Sequence, residues 1–262
     1  MHARQRPATA WHTGDLLKLH RHVVRLDGRR YTVITLRPGT RARFASNCYH
    51  GTWHVLSDLH GARVVGRLLW GLAYQRVPGT LVLLGPPQLD TSPFSGAASG
   101  PVAFVPAHLT SVPATAARAL RSRLPLARPE GTVRWHTPGL LPAVTAERDR
   151  PPGVPVRGFV PAAAAPRIAR RGGLVVMAAD PPVLREWAVA AYRLGDHSWK
   201  GMDYAEFGYP DGEVQVFTDY QRRVSAARVA RREVIAARPG PLPEADLDPL
   251  IWRRAAAVRA RA

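Results

Sequence analysis

Apolar positions change their spacing several times along this chain, and each change marks an element. In HVVRLDGRRYTVITL (22–36) two β-rich runs flank Asp27-Gly28, a dipeptide that tolerates the positive φ angles of a two-residue type I′ turn, which predicts a hairpin. In ARVVGRLLWGLAYQR (62–76) Val64, Val65, Leu68, Leu69 and Leu72 share one broad stripe at 100° per residue, which predicts an amphipathic helix. GTLVLLG (79–85) is a short unbroken apolar run of the kind a buried strand shows. The small, polar stretch GPPQLDTSPFSGAASGP (85–101) reads as a loop. It is followed by a strand at PVAFVP (101–106), a helix at ATAARALRSRL (114–124) and a strand at TVRWH (132–136).

The last third continues in the same alternation. GGLVVMAAD (172–180) predicts a buried strand, and PPVLREWAVAAYRLG (181–195) a helix whose prolines stand where a missing N–H is harmless. MDYAEFGYPDGEVQVF (202–217) predicts a second hairpin around Pro210-Asp211-Gly212. TDYQRRVSAARVARREVIAAR (218–238) predicts a long helix capped by Thr218 or Asp219, and LDPLIWRRAAAVRARA a short basic helix that closes the chain. TPGLLPAVTAERDRPPGVP (137–155), rich in proline and without period, reads as a connector between a basic α/β region at 1–136 and a second α/β region at 156–262. Two hairpins among alternating strands and helices predict a mixed α+β protein, with helices packed on a mixed sheet and room for two subdomains.

Charge adds what periodicity leaves out. Thirty-seven basic against nineteen acidic residues give +18, and only Lys18 and Lys200 are lysines. Residues 1–172 carry net +17, residues 173–217 net −4, and residues 218–262 net +5, so an acidic island interrupts a basic chain. GC-rich codons exchange lysine for arginine but create no net charge, so the excess predicts a polyanionic partner. No apolar run reaches the roughly 18 residues of a membrane span, and the N-terminus lacks an apolar leader segment. With Cys48 as its one cysteine the chain forms no internal disulfide, which fits a reducing cytoplasm.

Three stretches carry candidate chemistry. CYHGTWHVLSDLHG (48–61) holds Cys48, His50, His54, Asp58 and His60, and a continuous helix would align His50, His54 and Asp58 as metal ligands. Gly51 and Thr52 oppose that helix, Trp53 to Leu56 read as extended, and Ser57-Asp58 as a helix cap, so no metal is expected there. Across the apolar stripe of the helix at 62–76, Arg63, Arg67, Trp70 and Tyr74 fall on one face, where guanidinium and aromatic groups would meet phosphates and bases. The competing reading is a helix packed on two sides, with its arginines folded over aromatic neighbours. In the acidic island Asp203, Glu213, Glu186 and Lys200 are the candidate catalytic groups. An Asp followed by acidic-x-Gln on the adjacent strand resembles the PD-(D/E)xK nuclease core over about forty residues, which implies magnesium-dependent hydrolysis. This chain departs from that pattern, with Pro210-Asp211 in the turn and Gln215 in the lysine position. The alternative is that these carboxylates neutralise arginines of the helix at 218–238.

No phosphate loop, dinucleotide fingerprint, nucleophile elbow, zinc finger or helix-turn-helix pair is present in the sequence, and no cofactor is expected. The leading expectation is a cytoplasmic protein that binds DNA or RNA largely through arginine–phosphate contacts. A metal-dependent nuclease, a small-molecule hydrolase using His50, His54 and Cys48, and an interaction subunit for an acidic protein partner stay open. Whether the chain is an enzyme stays open with them.

Overall fold

The computed structural model describes residues 16–150, 165–196, 199–237, 240 and 242–261. Along the chain the elements are β1 (Leu16–Leu26), β2 (Arg29–Leu36), β3 (Phe44–Tyr49), β4 (Thr52–Ser57), α1 (Leu59–Ala73) and β5 (Thr80–Leu84). Then come β6 (Val102–Pro106), α2 (Ala114–Arg121), β7 (Gly131–His136), α3 (Leu140–Arg148), β8 (Arg167–Arg171) and β9 (Leu174–Ala179). The chain closes with α4 (Pro181–Arg193), β10 (Met202–Glu206), β11 (Gly212–Phe217), α5 (Tyr220–Ala236) and α6 (Glu244–Arg261). The fold is a mixed α/β architecture with two sheets, of order β7-β1-β2-β5-β6-β9-β8 and β10-β11-β4-β3.

Both predicted hairpins form. β1 and β2 pair antiparallel about Asp27 (φ +50°) and Gly28 (φ +72°), and β10 pairs antiparallel with β11. A third hairpin, β3–β4, turns through His50 (φ +50°) and Gly51 (φ +85°). The sequence hides it, because FASNCY has few strand-forming residues and a histidine seldom adopts positive φ. Asp58 is the N-cap of α1, its Oδ1 accepting from Gly61 N at 2.7 Å, as the Ser57-Asp58 signal predicts. The proline-rich stretch at 137–155 holds α3, which starts after Gly139 in the left-handed region (φ +87°), so aperiodic composition concealed a short helix there. Residues 151–155 of that stretch lie outside the described residues.

Layer order follows from which apolar faces meet. Leu19, Ile34, Val82 and Phe104 of the larger sheet pack against α1 and α4, and so do Val55, Val214 and Val216 of the smaller one. These two helices therefore lie between the sheets. They run antiparallel and close together: a Cβ on Gly66 would come within 2.7 Å of the Ala188 carbonyl oxygen. The other face of the larger sheet, with Tyr31, Val33, Leu81 and Val105, is covered by Ala116, Ala117 and Leu120 of α2. Beyond the smaller sheet, Ala45, Leu56 and Phe217 pack on Tyr220 and Val224 of α5, and α5 in turn carries α6. The result is five layers: α2, larger sheet, α1/α4, smaller sheet, α5/α6.

Both sheets mix early and late strands. β9 pairs parallel with β6, and β11 parallel with β4. The register of these pairings decides which face every candidate side chain occupies, because residues directly opposite each other share a face and successive residues alternate.

Candidate functional site

The acidic hairpin does not gather its carboxylates. Asp203 lies opposite Val216 and shares the α1-facing side of the smaller sheet with it, whereas Glu213 lies opposite Glu206 on the α5-facing side. Asp203 is fully engaged with backbone, Oδ2 accepting from Gly195 N at 2.7 Å and Oδ1 from Tyr204 N at 2.9 Å. Glu213 accepts from Gln215 Nε2 at 2.6 Å. Glu186 sits on α4, where burial raises its pKa and Arg185 opposes the rise. Lys200 covers the Trp199 ring at 4.3 Å. The two-carboxylate arrangement of a nuclease centre is thus not assembled by these four. Nor do Asp203 and Glu213 neutralise the α5 arginines. Arg223, Arg231 and Arg254 of the α5/α6 layer pair instead with that layer's own Asp219, Glu244 and Glu233.

The histidine stretch is split by the β3–β4 turn. His50 is exposed in the turn, Cys48 is exposed at the end of β3, and Asp58 caps α1. Among the described residues no three His, Cys, Asp or Glu side chains converge into a metal-holding group. His54 alone is buried, at 7% exposure. Its Nε2 stands 3.8 Å from Glu213 Oε2, beyond hydrogen-bond reach, and its buried Nδ1 has no partner. Burial lowers the His54 pKa, and burial likewise raises that of Glu213, with the Gln215 hydrogen bond opposing. Both groups are therefore held toward their neutral forms.

The four residues of the α1 face are brought together, but largely as packing. Trp70 is 6% exposed and its indole Nε1 donates to Pro138 O at 3.1 Å. The Arg67 guanidinium lies over the Tyr192 ring of α4, and Arg185 of α4 lies over Tyr74, at 5.9 and 5.8 Å. Two reciprocal arginine–aromatic contacts thus lock α1 to α4. Arg63 and Tyr74 remain exposed, Tyr74 at 56%.

Basic residues concentrate elsewhere, on β7, β1 and β2. These three strands contain Lys18, Arg21, Arg25, Arg29, Arg30 and Arg134, and no Asp or Glu. Lys18 stands directly opposite Arg134 on one face of the sheet, and Arg25 directly opposite Arg30 on the other. All four are exposed, and none has an ion-pair partner among the described residues. Like charges facing each other across a ladder cost stability, so nothing in the folding of the sheet requires this placement. Lys18 and His20 share the side of the sheet that faces away from α1 and α4, since Val24 and Leu26 of the same parity pack toward α2. There the turn at 37–40 meets the strand, and Lys18, His20, Arg37 and Thr40 border an open groove. His22, on the same side, reaches Thr35 Oγ1 at 3.2 Å, and burial followed by the charge of His20 lowers its pKa. The signal for this surface was present in the sequence: no acidic residue interrupts 16–26 or 29–36 apart from the turn between them.

Compared with known protein families, curated proteins and solved structures, the chain matches none.

Proposed function

We propose that this protein binds nucleic acid through the basic surface around Lys18 and Arg134 on β1 and β7. The single observation that carries the reading is the in-register pairing of Lys18 with Arg134, on strands without a carboxylate. A phosphate backbone supplies closely spaced negative charges that relieve this repulsion, and guanidinium groups grip phosphates in bidentate fashion. Arg63 near the start of α1 and Tyr74 at its C-terminal cap are secondary contacts. Contacts of this type read the backbone rather than base edges, so binding has little sequence preference.

Fluorescence anisotropy with a labelled duplex and a labelled single strand tests the reading, with polyglutamate as competitor. The expected result is binding at low salt that weakens at least tenfold in K18S/R134S, while the melting temperature is unchanged or higher. Wild-type affinity in that variant, or equal competition by polyglutamate per charge, would refute it.

A further inference from the structure

The α5/α6 layer is at the far side of the molecule from the Lys18–Arg134 surface, and it carries its own unneutralised basic groove. Gln221, Ser225, Arg228, Arg232 and Ile235 follow one another on α5 at spacings of four, three, four and three, and so form one stripe. The loop at 91–96 lies along this stripe. A Cβ on Gly96 (φ +64°) would come within 2.6 Å of the Ala227 carbonyl oxygen, so only glycine lets the loop approach so closely. Thr91, Gly96, Ser225, Arg228 and Arg232 line the resulting groove.

The charges in this layer fall into two groups. Arg223, Arg231 and Arg254 each hold a carboxylate, of Asp219, Glu244 and Glu233. Arg228 and Arg232, the two arginines on the groove stripe, are exposed and have no ion-pair partner among the described residues. They stand one helical turn apart with like charge, an arrangement that opposes helix formation. Two free guanidinium groups one helical turn apart match the oxygens of a phosphodiester.

We infer that the molecule is bivalent, holding two separate nucleic-acid segments at opposite poles, one on the Lys18–Arg134 sheet face and one in the Arg228–Arg232 groove. The inference rests on the function proposed above. Three layer spacings of about 10 Å separate the larger sheet from α5, so the two surfaces stand roughly 30 Å apart. That exceeds the ~8 Å Debye length at physiological ionic strength, so the surfaces bind independently. Duplex DNA has a persistence length of about 150 bp, and a short duplex cannot bend around the protein to reach both poles. One molecule therefore bridges two duplexes.

Energy transfer between two populations of short duplexes of about 15 bp, one donor-labelled and one acceptor-labelled, tests this. Wild-type protein should bring donor and acceptor together, most strongly near one protein per two duplexes and less in excess protein. R228Q/R232Q should still bind one duplex per protein through the sheet face, K18S/R134S should keep only the weaker binding of the groove, and transfer should fall at least fivefold in both. Transfer that persists in R228Q/R232Q would overturn bivalency through the groove, and so would wild-type binding at one duplex per protein without transfer. If wild-type protein shows no anisotropy change with either labelled probe, the functional reading itself fails, which separates the two outcomes. Circular-dichroism melting confirms that both variants fold.

Discussion

His54 shows how little a residue's type says about its work. Its Nδ1 is buried without a partner, its Nε2 stands 3.8 Å from Glu213, and burial lowers its pKa. A histidine held neutral in the folded state takes up a proton more readily when unfolded. Its contribution is therefore complete above about pH 6.5 and declines as pH falls from there toward its lowered folded value. His22, lowered by burial and by His20, adds in the same direction. Glu213, whose pKa is raised by burial, acts oppositely, because the folded state prefers its protonated form as pH falls through the carboxylate range. The melting temperature should accordingly drop between pH 7 and pH 5.5, and H54Q should make that drop smaller. An unchanged slope in H54Q would show that the imidazole titrates alike in the folded and unfolded states. The sequence offered the spacing of His50, His54 and Asp58, but not the turn at His50 and Gly51 that separates them. Local propensity opposed a helix there and was sufficient to direct Asp58 to a cap.

At the level of elements, period was legible and partners were not. The stripe Val64, Val65, Leu68, Leu69 and Leu72 is buried in full, and each such side chain contributes about 1.5–3 kcal/mol. The opposite stripe was equally visible, yet nothing local said that Tyr192 and Arg185 of α4 would cover Arg67 and Tyr74. The same holds for Asp203 and Glu213. The hairpin was readable, but the loop at 207–211 sets the register, and the register puts the two carboxylates on opposite faces. Gly66 tests the α1–α4 contact. Alanine raises intrinsic helix propensity by about 1 kcal/mol, whereas overpacking against the Ala188 carbonyl at 2.7 Å costs about 1–3 kcal/mol. G66A should therefore be neutral to destabilising by about 2 kcal/mol in urea unfolding, and a clear gain in stability would mean that the helices are not in contact there. On β1 and β7 the balance reverses. Removing one member of an in-register like-charge pair should stabilise, so R134T should raise the melting temperature by about 1 °C while weakening nucleic-acid binding.

For the whole molecule, the alternation of strands and helices predicted a mixed α/β fold, and the two hairpins predicted antiparallel pairs within it. The five-layer order was not legible, because β9 joins β6 and β11 joins β4 across more than 70 and 150 residues of chain. Such pairings depend on complementary apolar faces rather than on local pattern. No helix among the described residues is long and apolar enough to cross a membrane. The excess of eighteen basic residues exceeds what internal ion pairs can meet, and part of it stands in register at Lys18 and Arg134 and aligns on α5 at Arg228 and Arg232. The measurement that tests this account most directly is the salt dependence of duplex binding in wild-type protein and in K18S/R134S. Each phosphate neutralised contributes about −0.9 to the slope of log Kobs against log salt. A wild-type slope near −4, falling in magnitude by about two units in the variant, is the predicted result. Parallel slopes for the two proteins, or a wild-type slope near zero, would contradict it.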